Sequence, residues 1–247
     1  MAKKQKVIVF FVAVVIIIGI GGLVNIISNS PTTYHYETWL PTSEARNTRF
    51  TIAGIEDANI TITFANDPGL WYRIGVTHYT SVKHHAVENV ANPSFLPLRV
   101  HLRSVTRVKT INVVLGTDVA HSVYISGENL NIIIIVDNGA KISDSRCRFY
   151  GTGIFQFKMT ENVNFTTKGM SLKIGDRVLG PVSPELVLLD IDLPDGLNGR
   201  MSAPNATVFN NQWPFKYDNV WGTPSVDGPL LDIEIFYSMR VLAYLST

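Results

Sequence analysis

The sequence predicts an all-β extracytoplasmic domain, a sandwich or a stacked-sheet solenoid, on a single N-terminal transmembrane helix. Three observations predict it. The stretch from Val7 to Val24 carries no polar side chain and follows Lys3, Lys4 and Lys6. From Arg49 onward, apolar residues either alternate or run in short blocks rich in Val, Ile, Thr, Tyr and Phe. Turn residues separate those blocks at a spacing of roughly ten residues, the rhythm of all-β folds.

The organisation follows in chain order. Residues 1–6 form a short basic tail and residues 7–27 a signal-anchor helix, with Ile26 and Ile27 extending the run past Asn25. About 20 apolar residues in a helix span the hydrocarbon layer. The β-branched residues are poor helix formers in water, but in lipid the backbone must satisfy itself, and helix results. The three lysines keep the N-terminus cytoplasmic and place the remainder outside. A cleaved signal peptide would have a shorter apolar core. Residues 28–48 read as a juxtamembrane connector. Tyr34, Tyr36 and Trp39 within it either sit at the headgroup level or begin the core of the folded domain.

Residues 49–247 form the β-rich external domain. Strand patterns cover 49–55, 58–65, 71–82, 96–105, 109–116 and 122–127, then 153–159, 163–167, 170–175, 185–193 and 230–245. Between them, Gly116-Thr117-Asp118, Gly127-Glu128-Asn129, Asp137-Asn138-Gly139 and Gly151-Thr152-Gly153 read as turns. The run Ile132–Val136 is apolar at every position, so it reads as a central strand covered on both faces. With five residues it is too short to cross a membrane.

Residues 111–176 resemble the adhesin-like, or toast-rack, stacked-strand domains of prokaryotic envelope proteins. "INVVLGTDVAHSVYISGENLNIIIIVDNGAKIS" (111–143) carries the resemblance through its strands and Gly/Asp turns. The resemblance implies an extracytoplasmic β-rich module on a membrane anchor and supplies no catalytic residues.

Charge and composition narrow the function classes. The chain has 247 residues and a formal net charge of +1. Without the three N-terminal lysines the remainder stands at −2 (+1 − 3 = −2). No basic stripe suggests a nucleic-acid partner. The single cysteine, Cys147, excludes an intrachain disulfide and reads as a buried small apolar residue. Asp190, Asp192 and Asp195-Gly196 cluster carboxylates, but the calcium-loop spacing is broken and Met201 stands where a bidentate Glu belongs. The histidines, His78, His84, His85 and His121 among them, lack zinc-site spacing. There is no Gly-x-Ser-x-Gly elbow, phosphate loop or dinucleotide fingerprint. No enzyme activity, metal or cofactor is expected.

Asn59, Asn164 and Asn205 head glycosylation sequons. The stretch 201–229 lacks strand periodicity and holds Trp213, Phe215, Tyr217 and Trp221. These aromatics either form a flap over the core or a contact surface for a ligand or partner. The expected role is a membrane-anchored structural or interaction protein, an envelope or complex-accessory subunit. Its partners would be the membrane and other envelope proteins, or further copies of itself. The alternative is a ligand- or glycan-binding sensory module using the aromatic loop.

Overall fold

The computed structural model describes residues 32–39, 47–78, 87–90, 98–103, 108–117, 119–159, 162–165, 169–175, 186–192, 199–204, 207–209, 216–217, 220–222, 231–236 and 240–246. Among them every regular element is a strand. In chain order these are β1 (Thr32–Trp39), β2 (Asn47–Glu56), β3 (Asn59–Phe64), β4 (Leu70–His78), β5 (Val87–Val90), β6 (Leu98–Arg103) and β7 (Val108–Leu115). The middle holds β8 (Ala120–Val136), β9 (Lys141–Ile142), β10 (Ser145–Met159), β11 (Asn164–Phe165) and β12 (Met170–Ile174). The remainder are β13 (Leu186–Asp192), β14 (Gly199–Ser202), β15 (Thr207–Phe209), β16 (Lys216–Tyr217), β17 (Val220–Gly222), β18 (Leu231–Ile235) and β19 (Arg240–Ser246).

Strand pairing resolves these elements into stacked rungs. Each rung has a first half in one layer and a second half in another. The rungs lie in the order β6–β7, β2–β3, β8, β10, β12–β13, β18–β19 and β14–β15, with parallel pairing throughout. Antiparallel strands flank the stack. β5 lies beside β6, β4 and then β1 lie beside β7, and β17 and then β16 lie beside β14. The fold is therefore a stacked-sheet solenoid whose two layers enclose one core.

Aromatic contacts across that core show that the two halves of each rung face one another. Phe149 and Phe155 lie on opposite halves of β10, yet their rings stack with centroids 5.7 Å apart. Phe50 of β2 meets Tyr72 of β4 edge-on at 5.3 Å. The same residue types repeat from rung to rung. Ile111, Ile60, Ile132, Phe155 and Val187 occupy one register position through five adjacent strands, and all are buried. Parallel strands need a return segment between rungs. β9 and β11 belong to those returns and pair with each other, and Ala140, Ile142 and Val163 close the core there.

The long strands turn a corner without ending. At Glu128–Asn129 in β8 the buried parity switches from Val123 and Ile125 to Leu130, Ile132 and Ile134. Asn129 takes a left-handed φ of 51° and Asp57, in the corresponding corner between β2 and β3, one of 53°. Both residue types tolerate that region. The corners are laced together, since the Asn129 amide Nδ2 donates to Asp57 Oδ1 at 2.5 Å and its backbone N–H donates to Thr152 Oγ1 at 2.7 Å.

The structure corrects the sequence reading at several points. Gly127-Glu128-Asn129 and Gly151-Thr152-Gly153 are corners inside single long strands, not breaks between strands. The pattern at 230–245 divides into β18 and β19. The stretch 201–229 contains β15, β16 and β17 and the end of β14. Strands of two to four residues hold too few alternations to show a period. β1 falls inside the stretch expected to be a connector, where Tyr34, Tyr36 and Trp39 belong to a strand paired with β4. Ile132–Val136 is central, between β3 and β10, but its two faces differ. Ile132, Ile134 and Val136 are buried, whereas Ile133 and Ile135 are only half-buried on the outer face. The run at 7–27 lies outside the described residues, and among those described no helix is long and apolar enough to cross a membrane.

Candidate functional site

Two polar constellations arise from the stacking, one inside the core and one on the outer face of the first layer. The inner one occupies the first position of successive rungs. Thr48, His121 and Ser145 are all buried there, and Met170 and Leu231 continue the same position as apolar residues. The Thr48 hydroxyl bonds His121 Nδ1, and His121 Nε2 donates to the Gly116 carbonyl at 2.7 Å. In this arrangement Nδ1 accepts and the ring is neutral. The Ser145 hydroxyl receives the His121 backbone N–H at 3.2 Å and donates to the Ser143 carbonyl at 3.1 Å. Neither ring nitrogen bonds the serine, so this is a structural network and not a nucleophile–base pair.

Burial drives the His121 pKa down from 6.5 to about 4, opposed in part by the bond to Gly116. The sign follows from linkage. Between pH 6.5 and about 4 the unfolded chain takes up a proton at this ring and the folded one does not. Stability is therefore fully present above pH 6.5 and falls as the pH drops toward about 4, by about 3 kcal/mol from this residue. Denaturant unfolding of the purified chain at stepped pH should show that loss. A His121→Gln variant should have a flatter slope in the same window, and an unchanged slope would contradict the assignment. Cys147 is buried beside the same layer, and burial raises its thiol to about 12, which leaves it unreactive.

The outer constellation is a shallow groove of about 310 Å³ lined by Arg49, Thr51, Ser122, Tyr124, Arg146 and Arg148. Register builds it. In one outward row Arg49, Ser122, Arg146, Ser171, Asp232 and Arg200 stand side by side on β2, β8, β10, β12, β18 and β14. In the next row come Thr51, Tyr124, Arg148, Lys173, Glu234 and Ser202. The rows divide by charge. At the β14–β18 end cations meet carboxylates: Arg200 makes a bidentate pair with Asp232, both bonds 2.9 Å, and Lys173 meets Glu234 at 2.5 Å. At the β2–β10 end Arg49 and Arg148 make no ion pair with another described residue, and Arg146 has a 3.3 Å contact with Asp144. All three of these arginines are exposed. Tyr124 and Tyr150 pair their rings diagonally at 5.1 Å beside them. On β6 the register positions next to Arg49 and Thr51 belong to Arg99 and His101.

The residues singled out from the sequence lie elsewhere. Trp213, Phe215 and Asn205 fall outside the described residues. Tyr217 lies in β16 and Trp221 in β17, where Trp221 is in register with Met201. Asn59 and Asn164 are exposed, on β3 and β11, and the Asn59 side-chain oxygen accepts a bond from Asn131 Nδ2 at 3.1 Å. Among the described residues no group of His, Cys, Asp and Glu could hold a metal ion. The arginine groove was missed because its members are spread over residues 49–148. Only the Arg146-x-Arg148 alternation was visible locally, in "SRCRFY", which the strand reading had skipped.

No family model matches the sequence, and no curated protein matches it. The fold is similar to that of a solved structure from Clostridium sporogenes described as a "putative cell adhesion protein". The TM-score is 0.57 at 8% identity, covering 88% of this chain and 100% of that one. At that identity the likeness concerns the fold. It is weakly consistent with the adhesin-like stacked-strand pattern read in residues 111–176.

Proposed function

We propose that this chain is a single-pass membrane protein with a cytoplasmic N-terminus and an external β-domain. It acts as an envelope or complex-accessory subunit through contacts with other proteins or with copies of itself, without enzymatic activity. The observation that carries the reading is the solenoid. Its rungs bury their apolar positions in one core and present the remaining side chains in long, regular outer rows on a rigid backbone. Such rows suit recognition. His121, Ser145 and Cys147 are buried, the first two in a structural hydrogen-bond network. The apolar run from Val7 to Val24 behind three lysines supports the anchor. The adhesion description of the Clostridium protein and the toast-rack resemblance support an external setting.

Extraction of membranes in mild detergent tests both parts. Mass spectrometry of the N-terminus is expected to find residues 7–27 retained, and a start at or after Asn25 would overturn the anchor. A stoichiometric envelope protein, or a discrete oligomer, is expected to copurify. A monomer without a stoichiometric companion would remove the interaction role.

A further inference from the structure

We infer that the groove formed by Arg49, Arg146 and Arg148 with Ser122 and Tyr124 is a binding site for an acidic polysaccharide carrying regularly spaced carboxylate groups. The argument begins with charge. Three guanidiniums stand on two rungs, one on β2 and two on β10, with β8 between them, and among the described residues a single carboxylate, that of Asp144, contacts one of them. Along the same rows the cations of β12 and β14 each have an acidic partner one strand away. Proximity of like charges works against the folded state unless an anion offsets it. Among the described residues the fold thus neutralises one end of this face internally, and the other end offers its cations to an external anion.

Geometry selects the kind of anion. Arg49 and Arg146 are two strands apart, about 10 Å, and Arg146 and Arg148 are about 7 Å apart along one strand. These spacings suit a ligand with several acid groups in series, such as a chain of uronic acid units with a carboxylate on every sugar. The guanidinium fork pairs with a planar carboxylate through two parallel bonds. Between the arginines lie the hydroxyls of Thr51, Ser122 and Tyr124, which can meet sugar hydroxyls. Tyr124 and Tyr150 add apolar ring surface suited to a sugar face. The groove is open, as a chain-like ligand running across the rungs requires.

The inference rests on the external placement proposed above, because such polymers lie outside the membrane. Binding in solution tests the groove independently, so failure of either can be recognised. The full chain in nonionic detergent is titrated with polygalacturonate oligomers, with neutral dextran oligomers, and with phosphatidylglycerol vesicles. Polygalacturonate is expected to bind, more weakly as salt rises, and dextran is not. The double variant R49A/R148A is expected to bind roughly tenfold more weakly or worse, with a melting temperature no lower than the parent's. The variant K141A, which removes an exposed cation on β9, is expected to bind as the parent does. If polygalacturonate does not bind, or K141A weakens it as much as R49A/R148A does, the inference is overturned. Arginine-dependent binding of the vesicles without binding of the oligomers also overturns it, in favour of a lipid headgroup.

Discussion

Replacing Ile134 by aspartate is expected to prevent stable folding, while the same change at Ile135 is tolerated. The two residues are neighbours on β8, but only Ile134 points into the core, where it is 1% exposed. Its register partners are Ile62 on β3 and Phe157 on β10, both buried. A carboxylate there has no donor in reach and either ionises in an apolar layer or takes up a proton, at a cost of several kcal/mol. At Ile135 the register partners are Thr63 and Lys158 and the side chain is half-buried, so a carboxylate keeps its water and gains a neighbouring cation. Melting of the purified chain measures both variants. Similar shifts for the two would contradict the parity of β8, and with it the placement of this strand between β3 and β10.

Gly151→Ala is expected to destabilise the chain by at least ~3 kcal/mol, far beyond an ordinary glycine-to-alanine change. Gly151 lies where β10 turns from one layer to the other, with φ of 147°. A Cβ at this position would fall 1.9 Å from the Gly127 carbonyl oxygen of the adjacent rung. That oxygen belongs to backbone held by ladder bonds on both sides, so it cannot rotate aside as a side chain would. Gly69→Ala provides the comparison. It also has positive φ, 88°, but nothing lies within 4 Å of its Cβ position, and only the conformational cost of about 1 kcal/mol applies. If denaturant midpoints place the two variants together, close packing of rungs at the corner is not what requires glycine there.

These two cases also show how far local pattern reaches. The all-β class was legible in the described region because strand periodicity is written into each segment. Alternation in "NITITF" and "TINVVL" produces the observed buried parity of β3 and β7. Ile132–Val136 was legible as a central strand, since an apolar block of that length needs neighbours on both edges. The expectation that both its faces are covered fails at Ile133 and Ile135. Composition alone cannot separate a strand covered twice from one whose outer face tolerates apolar residues. Burial of Cys147 was likewise expected and is observed, because thiols partition with apolar side chains.

By itself, the sequence determined most of the longer strands, most of their inward faces and the positions where Gly, Asn and Asp allow the chain to turn. Each of these depends on φ/ψ preference and hydrophobic alternation within a few residues. Only the tertiary structure decided which turns are corners within a rung, and that β18–β19 inserts between β12–β13 and β14–β15 out of chain order. It alone decided that Arg49 stands beside Ser122 and Arg146. The reason is physical. Parallel pairing joins residues separated by a whole coil of the chain, and the register of one rung on the next is set by packing inside a common core. Neither the arginine groove nor the buried Thr48–His121 bond has a local signature, because each exists only where separate rungs meet.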